Sequence, residues 1–275
     1  MMTSNSRILL QSMSRKPGYL PEPSPFDVLC RSVAAGAVAL VAATATARAA
    51  AISVPNGSFE LPSTAFVDTR VDLWTKSVQP AWFDPATAGI GWNQLSGVFA
   101  NTAASSPSHI DNVDANQALY VFALPTVGLS QELTSPEGKF QVGFAYDLTV
   151  GIVGGGGGMP AGTSFVLNLY YRDAANLAVP IASTVVTYSP ANFPTTTHLV
   201  DYSVNLPAVQ AGQAWADKAI GVELASISGT GAGYWDLDNV RLDSVALVPE
   251  PTTIILGGLG LGTILLARHL GPRRS

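Results

Sequence analysis

Tryptophan is the residue type in this 275-residue chain best suited to hold a ligand. The five are Trp74, Trp82, Trp92, Trp215 and Trp235. A pyranose ring has an apolar C–H face that stacks on an exposed aromatic surface, while its hydroxyls seek polar neighbours. Trp74, Trp82 and Trp92 fall in irregular sequence containing Pro and Gly, where such a platform could stand clear of a core; Trp235 falls in a strand-like segment and reads as core. For any single Trp, plain packing is the competing reading. Tyr120 and Tyr170 alternate away from the apolar faces of their segments, and so either join a platform or cap a sheet edge. Signals for an enzyme are weak. H-E-x-x-H, G-x-S-x-G and C-x-x-C are all absent. His109 sits in a Ser/Pro-rich stretch and His198 beside a strand-like segment, neither near a nucleophile signature. Carboxylates alone can hydrolyse glycosides, but no pair stands out from the other acids. The five glycines at 154–158 are followed by Met-Pro-Ala-Gly rather than by Gly-Lys-Ser/Thr. They therefore read as a flexible hairpin loop and not as a phosphate cradle.

These side chains would have to be positioned by β-strands. Residues 51–247 have no sustained apolar period of 3.6, whereas several segments alternate with period two. Phe165, Leu167, Leu169 and Tyr171 share one face, as do Val200, Tyr202, Val204 and Leu206, and Ile220, Val222 and Leu224 oppose Gly221 and Glu223. Segments 117–124, 140–153, 178–186 and 234–242 complete the set. Turn-rich sequence separates them. The expectation is one all-β domain, an antiparallel β-sandwich burying alternate faces between two sheets about 10 Å apart. Residues 207–219 are expected to hold one short helix.

Charge is placed unevenly. Between residues 50 and 267, six basic side chains face 17 acidic ones, a balance of −11. Such a body repels phosphate backbones, which argues against nucleic acid as a partner. The remaining basic residues flank apolar segments at the two ends. Residues 33–45 (VAAGAVALVAATA) are preceded by Lys16 and Arg31 and followed by Ala47-Arg48-Ala49-Ala50. A basic region, a short apolar region and an A-x-A site make a signal peptide over residues 1–50, to be read by the export machinery and signal peptidase. Thirteen residues are too few to span a bilayer core of about 30 Å. The leader is long, and Met13 is an alternative start. Cys30 precedes the apolar run and leaves with the leader, so the mature chain has no Cys, which suits an oxidising compartment. At the other end, 252–267 is free of charge and is followed by Arg268, Arg273 and Arg274. It reads as a short transmembrane helix with its cationic end in the cytoplasm.

Two resemblances add to this reading. Val248-Pro249-Glu250-Pro251-Thr252, an apolar Gly/Leu run and the terminal arginines resemble the PEP-CTERM sorting signal, covering 248–275. The resemblance implies an exosortase partner in the membrane, processing near the Pro-Glu-Pro box, and an exopolysaccharide-making Gram-negative host. The protein would be anchored transiently in the inner membrane and then reach the cell surface or matrix. The basic end departs from the pattern in being split by His269-Leu270-Gly271-Pro272, and a plain uncleaved anchor is the alternative.

Further, Val54-Pro55-Asn56-Gly57-Ser58-Phe59-Glu60 and Tyr234-Trp235-Asp236-Leu237-Asp238-Asn239-Val240-Arg241-Leu242 resemble the terminal strands of galactose-binding-like jelly rolls, among them family 4/9-type carbohydrate-binding modules. That implies a single jelly-roll sandwich, extracellular polysaccharide or matrix as partner, and a structural Ca²⁺ held by Glu60 and Asp238, with Asp236 as competing ligand. The bland alternative is that Glu60 and Asp238 are solvated strand-end acids. The ligand candidates are Trp74, Trp82, Trp92 and Tyr120. The expected role is non-catalytic; the rivals are a structural or adhesive matrix protein without a sugar site, and a carbohydrate-active enzyme. Mass spectrometry of the secreted form is expected to find a chain that begins near Ala50 and ends near the Pro-Glu-Pro box. The intact polypeptide dissolved in the cytosol would overturn this reading.

Overall fold

The computed structural model describes residues 49–247. Met13, Cys30, Ala47, the sorting box from Val248 to Thr252, and Arg268, Arg273 and Arg274 lie outside the described residues. Among the described residues no helix is long and apolar enough to cross a membrane.

The alternating segments form strands as their side-chain periods require. In chain order these are β1 (Ala49–Ile52), β2 (Val67–Asp68), β3 (Thr75–Lys76), β4 (Ser96–Ala100), β5 (Gln117–Phe122), β6 (Gly128–Glu132), β7 (Phe144–Gly156), β8 (Ser164–Arg172), β9 (Ala178–Thr187), β10 (Val200–Leu206), β11 (Gly221–Ser226) and β12 (Tyr234–Ala246). They pair antiparallel into two sheets. Sheet A has the order β10-β7-β12-β5-β4-β2, with β1 also on β12, and sheet B the order β3-β6-β11-β8-β9. The protein is thus an all-β sandwich.

One apolar layer lies between the sheets. Sheet A contributes Leu119, Val121, Leu148, Val150, Ile152, Trp235 and Leu237, and sheet B contributes Leu129, Phe165, Leu167, Leu169, Val222 and Leu224. Each is essentially inaccessible to solvent, and burying one such side chain is worth about 1.5–3 kcal/mol. The open edge of the sandwich is tied by Lys76, whose Nζ donates to Asn93 O at 2.6 Å and Ser96 O at 2.5 Å. Burial holds its ammonium pKa down to about 8.

Strand β12 carries the register irregularity that matters most for the site. Its first half pairs with β5 (Tyr234↔Phe122 to Leu237↔Leu119) and its second half with β1 (Leu242↔Ile52 to Val245↔Ala49). Between them the ladder to β7 slips between Asp238 and Arg241, where Asn239 takes a left-handed φ of 57°. The freed Val240 N–H donates to Gly57 O at 2.8 Å. A β-bulge of this kind bends the strand and re-aims its side chains.

Two sequence expectations are corrected. The 207–219 helix does not form. Ala216 N–H and Lys218 N–H close tight turns on Gln213 and Trp215, and Asp217 N–H goes instead to Phe140 O. Both Gly212 and Asp217 have left-handed φ, which an α-helix does not allow. Nor are the glycines at 154–158 simply a loop, because Gly154 and Gly156 lie within β7. A Cβ on Gly154 would stand 2.7 Å from the Trp235 ring, and one on Gly156 would stand 2.4 Å from the Tyr234 ring. Close packing against aromatic faces selects glycine here. Gly154→Ala is accordingly expected to destabilise the domain by about 1–3 kcal/mol in urea unfolding. A neutral result would restore the flexible-loop reading.

Candidate functional site

The outward face of sheet B forms a groove of about 370 Å³. Strand register builds its floor in rows. Gly128, Ala225 and Val166 lie side by side across β6, β11 and β8, and Ser130, Glu223 and Asn168 form the next row; Val185 and Ser183 continue the two rows on β9, outside the groove. An apolar stripe therefore runs beside a polar one. In the polar row, Asn168 Nδ2 donates to Glu223 Oε2 at 2.6 Å, which fixes both groups and leaves the second carboxylate oxygen to accept from a ligand hydroxyl. A third row, beside the groove and not lining it, holds Glu132, Gly221 and Tyr170. The Tyr170 ring lies flat over Gly221, where any Cβ would meet ring atoms at 2.3–2.5 Å. Arg172 Nε donates to Glu132 Oε1 at 2.6 Å, and its guanidinium stands 5.9 Å from the Tyr170 ring centroid. Burial first, and then the Glu132 charge, push the Tyr170 phenol above its ordinary pKa. Ile227, 46% exposed, stands at the rim.

The tryptophans fall into two groups. Trp82 is 56% exposed, whereas Trp74 and Trp92 are buried at 7% and 8%, so the expectation of open platforms holds for Trp82 alone. The other two are buried because distant carbonyls satisfy their indole N–H groups: Trp74 Nε1 donates to Asn56 O at 3.1 Å, and Trp92 Nε1 to Ser77 O at 2.8 Å. Ser77 also lines the groove, and Trp92 packs edge-on against Trp82 with centroids 6.1 Å apart. The exposed indole thus sits on a braced cluster joined to the groove through Ser77. Tyr120 belongs to the other sheet, half-buried, with its hydroxyl donating to Gln94 O at 3.2 Å, so the structure does not bring it to the groove. Sequence reading missed Ser130, Asn168 and Glu223. Each is an outward polar position on a strand, but nothing local says that β6, β11 and β8 are neighbours.

Glu60 and Asp238 are brought to one loop. Glu60 Oε1 accepts from Asn116 N–H at 2.8 Å and Gln117 N–H at 2.7 Å, while Asp238 Oδ2 accepts from Asp114 N–H at 2.5 Å. Asp238 is fully buried and its Oδ1 has no hydrogen-bond partner. Burial raises its pKa to about 8, helped by the negative charges of Asp114 and Glu60 and opposed by the N–H groups of Asp114 and Asn239. An orphaned carboxylate oxygen among nearby acids is chemistry that a hard cation would satisfy. Among the described residues, however, no three His, Cys, Asp or Glu side chains cluster tightly enough to hold a metal unaided, so backbone carbonyls and water would have to complete the shell. Asp236, on the same face of β12, sits between Tyr120 on β5 and Val153 on β7. Its Oδ1 is also buried without a partner, and burial alone raises its pKa to about 8.

No protein-family model matches the sequence, and no curated protein matches it. Among solved structures, the chain is similar to the Stig cyclase Fisc from Fischerella sp. TAU, with a TM-score of 0.54 and 21% identity, covering 73% of this chain and 100% of that one. Another structure, of a cyclase from Fischerella sp. TAU, gives a TM-score of 0.53 at 18% identity over 74% and 100% of the two chains. At these identities the likeness is one of fold: this chain has the β-sandwich fold of those proteins. The xylan-binding CBM22-1 domain of Paenibacillus barcinonensis Xyn10C aligns more loosely, with a TM-score of 0.36 and 13% identity over 64% of this chain and 87% of that domain.

The two raised aspartates make stability depend on pH with a definite sign. In the unfolded chain they release protons near the ordinary value of 3.8, but in the folded domain they hold them to about 8. Their contribution is therefore complete below about pH 4 and is lost as pH rises towards 8. In chelator, urea unfolding is expected to give lower stability at pH 8 than at pH 4.5, and Asp236→Asn should remove about half of that slope. A flat profile in the parent protein would mean that both acids ionise freely in the fold.

Proposed function

We propose that the chain is an exported, surface-sorted, non-catalytic jelly-roll module that binds neutral extracellular polysaccharide along the outward face of sheet B. The observation that carries this reading is the apolar row Gly128–Ala225–Val166 lying against the polar row Ser130–Glu223–Asn168. A pyranose presents the complementary pattern, a C–H face bordered by hydroxyls. Trp82, on the aromatic cluster joined to the groove through Ser77, supplies an exposed stacking surface. The acid-rich domain, with Glu132 and Glu223 on this face, favours uncharged sugars over uronic acids by simple repulsion. Export and sorting rest on the leader and the Pro-Glu-Pro tail. On a panel of neutral and acidic glycans, binding is expected to neutral members, weakened about tenfold by Glu223→Ala, in line with a lost charge-assisted hydrogen bond of roughly 1.5 kcal/mol, and weakened again by Trp82→Ala. Silence across the whole panel would leave the structural or adhesive matrix role in its place.

A calcium ion between Glu60 and Asp238 belongs to the same proposal. It would join the loop after β1 to the last strand and stabilise a domain without disulfides. Calcium at a hundredfold excess over its Kd should stabilise the protein by about 3 kcal/mol, and Glu60→Ala should abolish that response. An unchanged Tm in chelator would remove the ion from the account.

One observation favours a second reading, a carbohydrate-active enzyme. Asp236 is a carboxylic acid that burial holds protonated, with its pKa raised to about 8, the state of a general acid; it lines neither cavity, so the covering segments would have to move before it could reach a glycosidic oxygen. Release of reducing sugar from any panel member, lost in Asp236→Asn, would put this reading first.

A further inference from the structure

A second cavity of about 450 Å³ opens on the outward face of sheet A, on the opposite side of the sandwich from the groove. Asp201 on β10 and Asn239 and Arg241 on β12 line it from the sheet, and Asn112 and His198 line it from the covering segments. We infer that this cavity is a second site for a neutral sugar unit, so that one domain bridges two polysaccharide chains; the inference rests on the polysaccharide-binding reading above.

The wall is built rather than incidental. Asn112 Nδ2 donates to Leu199 O at 2.9 Å, and Leu199 N–H donates back to Asn112 Oδ1 at 2.8 Å. Asp111 N–H donates to Thr197 O at 3.0 Å. Leu199 is buried over Gly151, where an added Cβ would already stand 3.3 Å from the leucine Cβ. These contacts lock segment 109–116 to segment 195–199 and set the cavity's width.

The chemistry on the wall suits hydroxyls. Arg241 Nη2 donates to Asp201 Oδ2 at 2.6 Å, leaving guanidinium donors beside the other carboxylate oxygen. A vicinal diol matches that pair, because one hydroxyl accepts from the arginine while its neighbour donates to the aspartate. His198 is held through Nδ1 by Asp111 Oδ1 at 2.6 Å, which orients the ring and directs Nε2 away from that carboxylate. Asn239, turned by the bulge, adds an amide. Arg241, the one arginine or lysine among the lining residues, is already bonded to Asp201, and the Asp201 and Asp111 carboxylates stand where an anion would have to sit, so an uncharged polyol fits the cavity best. The groove and the cavity are separated by two sheets about 10 Å apart and face opposite ways, so a single short oligosaccharide cannot occupy both.

Calorimetric titration of the full chain in detergent with neutral hexasaccharides built from glucose, xylose, mannose or galactose tests this directly. The expected result is two sites per chain for the matching sugar. Arg241→Gln should remove one site and Glu223→Ala the other. The Arg241–Asp201 pair is exposed, 40% and 60% at its side chains, so Arg241→Gln should fold normally, since such pairs add little to stability. His198→Ala is the independent second variant for the same cavity. Wild-type protein should also precipitate the matching long polysaccharide, and either single-site variant should bind it without precipitating it. One site, lost in Glu223→Ala and untouched by Arg241→Gln and His198→Ala, overturns this inference and leaves the groove standing. One site, lost only in the cavity variants, overturns both the bridging and the groove. Absence of binding to every hexasaccharide overturns the polysaccharide reading and this site with it.

Discussion

Strand β12 is hydrogen-bonded along both edges, to β7 on one side and to β5 and then β1 on the other. The handover from β5 to β1 requires the bulge at Asn239, and the bulge frees the Val240 N–H that Gly57 accepts. Much of the molecule follows from this arrangement. It anchors the loop carrying Asn56, whose side chain bonds Leu61 and whose carbonyl takes the Trp74 indole. It sets Glu60 and Asp238 beside the same loop. It turns Asn239 and Arg241 towards the cavity on sheet A. Buried backbone groups must find partners, and here that demand is met by joining the beginning of the domain to its end.

The two outward faces have different characters for a related reason. Sheet B has small residues at the centre of its face, Gly128, Gly221 and Ala225, so side chains from β8 lie across them and a shallow, partly apolar groove remains. Sheet A has segments 109–116 and 195–199 laid over part of it, so two of its acids, Asp236 and Asp238, are covered. Asp238 and Asp236 point away from the core, as strand alternation requires, yet both are buried. The cost of burying a carboxylate is met by keeping the proton or, for Asp238, by a cation on the orphaned oxygen.

The strands were legible because their information is local. The shared face of Phe165, Leu167, Leu169 and Tyr171 can be read along eight residues, and it lies in the structure as period two demands. What was not legible depends on partners far away in the chain. Gly154 looks like part of a flexible run until Trp235, about eighty residues later, is seen lying against it. Trp74 and Trp92 look available until the carbonyls of Asn56 and Ser77 are placed on their indole nitrogens. The 207–219 segment has helix-forming alanines, but its backbone donors are spent on Phe140 and on tight turns. The proximity of Glu60 to Asp238 came from the resemblance of the two terminal segments, whereas Asn168 and Glu223 belong to strands whose adjacency no short motif records.

The pairing of β1 with the last residues of β12 also has a mechanical side. Ala49 lies opposite Val245, so the polypeptide enters and leaves the sandwich at neighbouring points. A pull applied at Leu247 along β12 loads the ladders on both of its flanks in shear, and many hydrogen bonds must then yield together instead of unzipping singly. Tension at that end is borne by the middle of a sheet, which is how a load-bearing link would be attached.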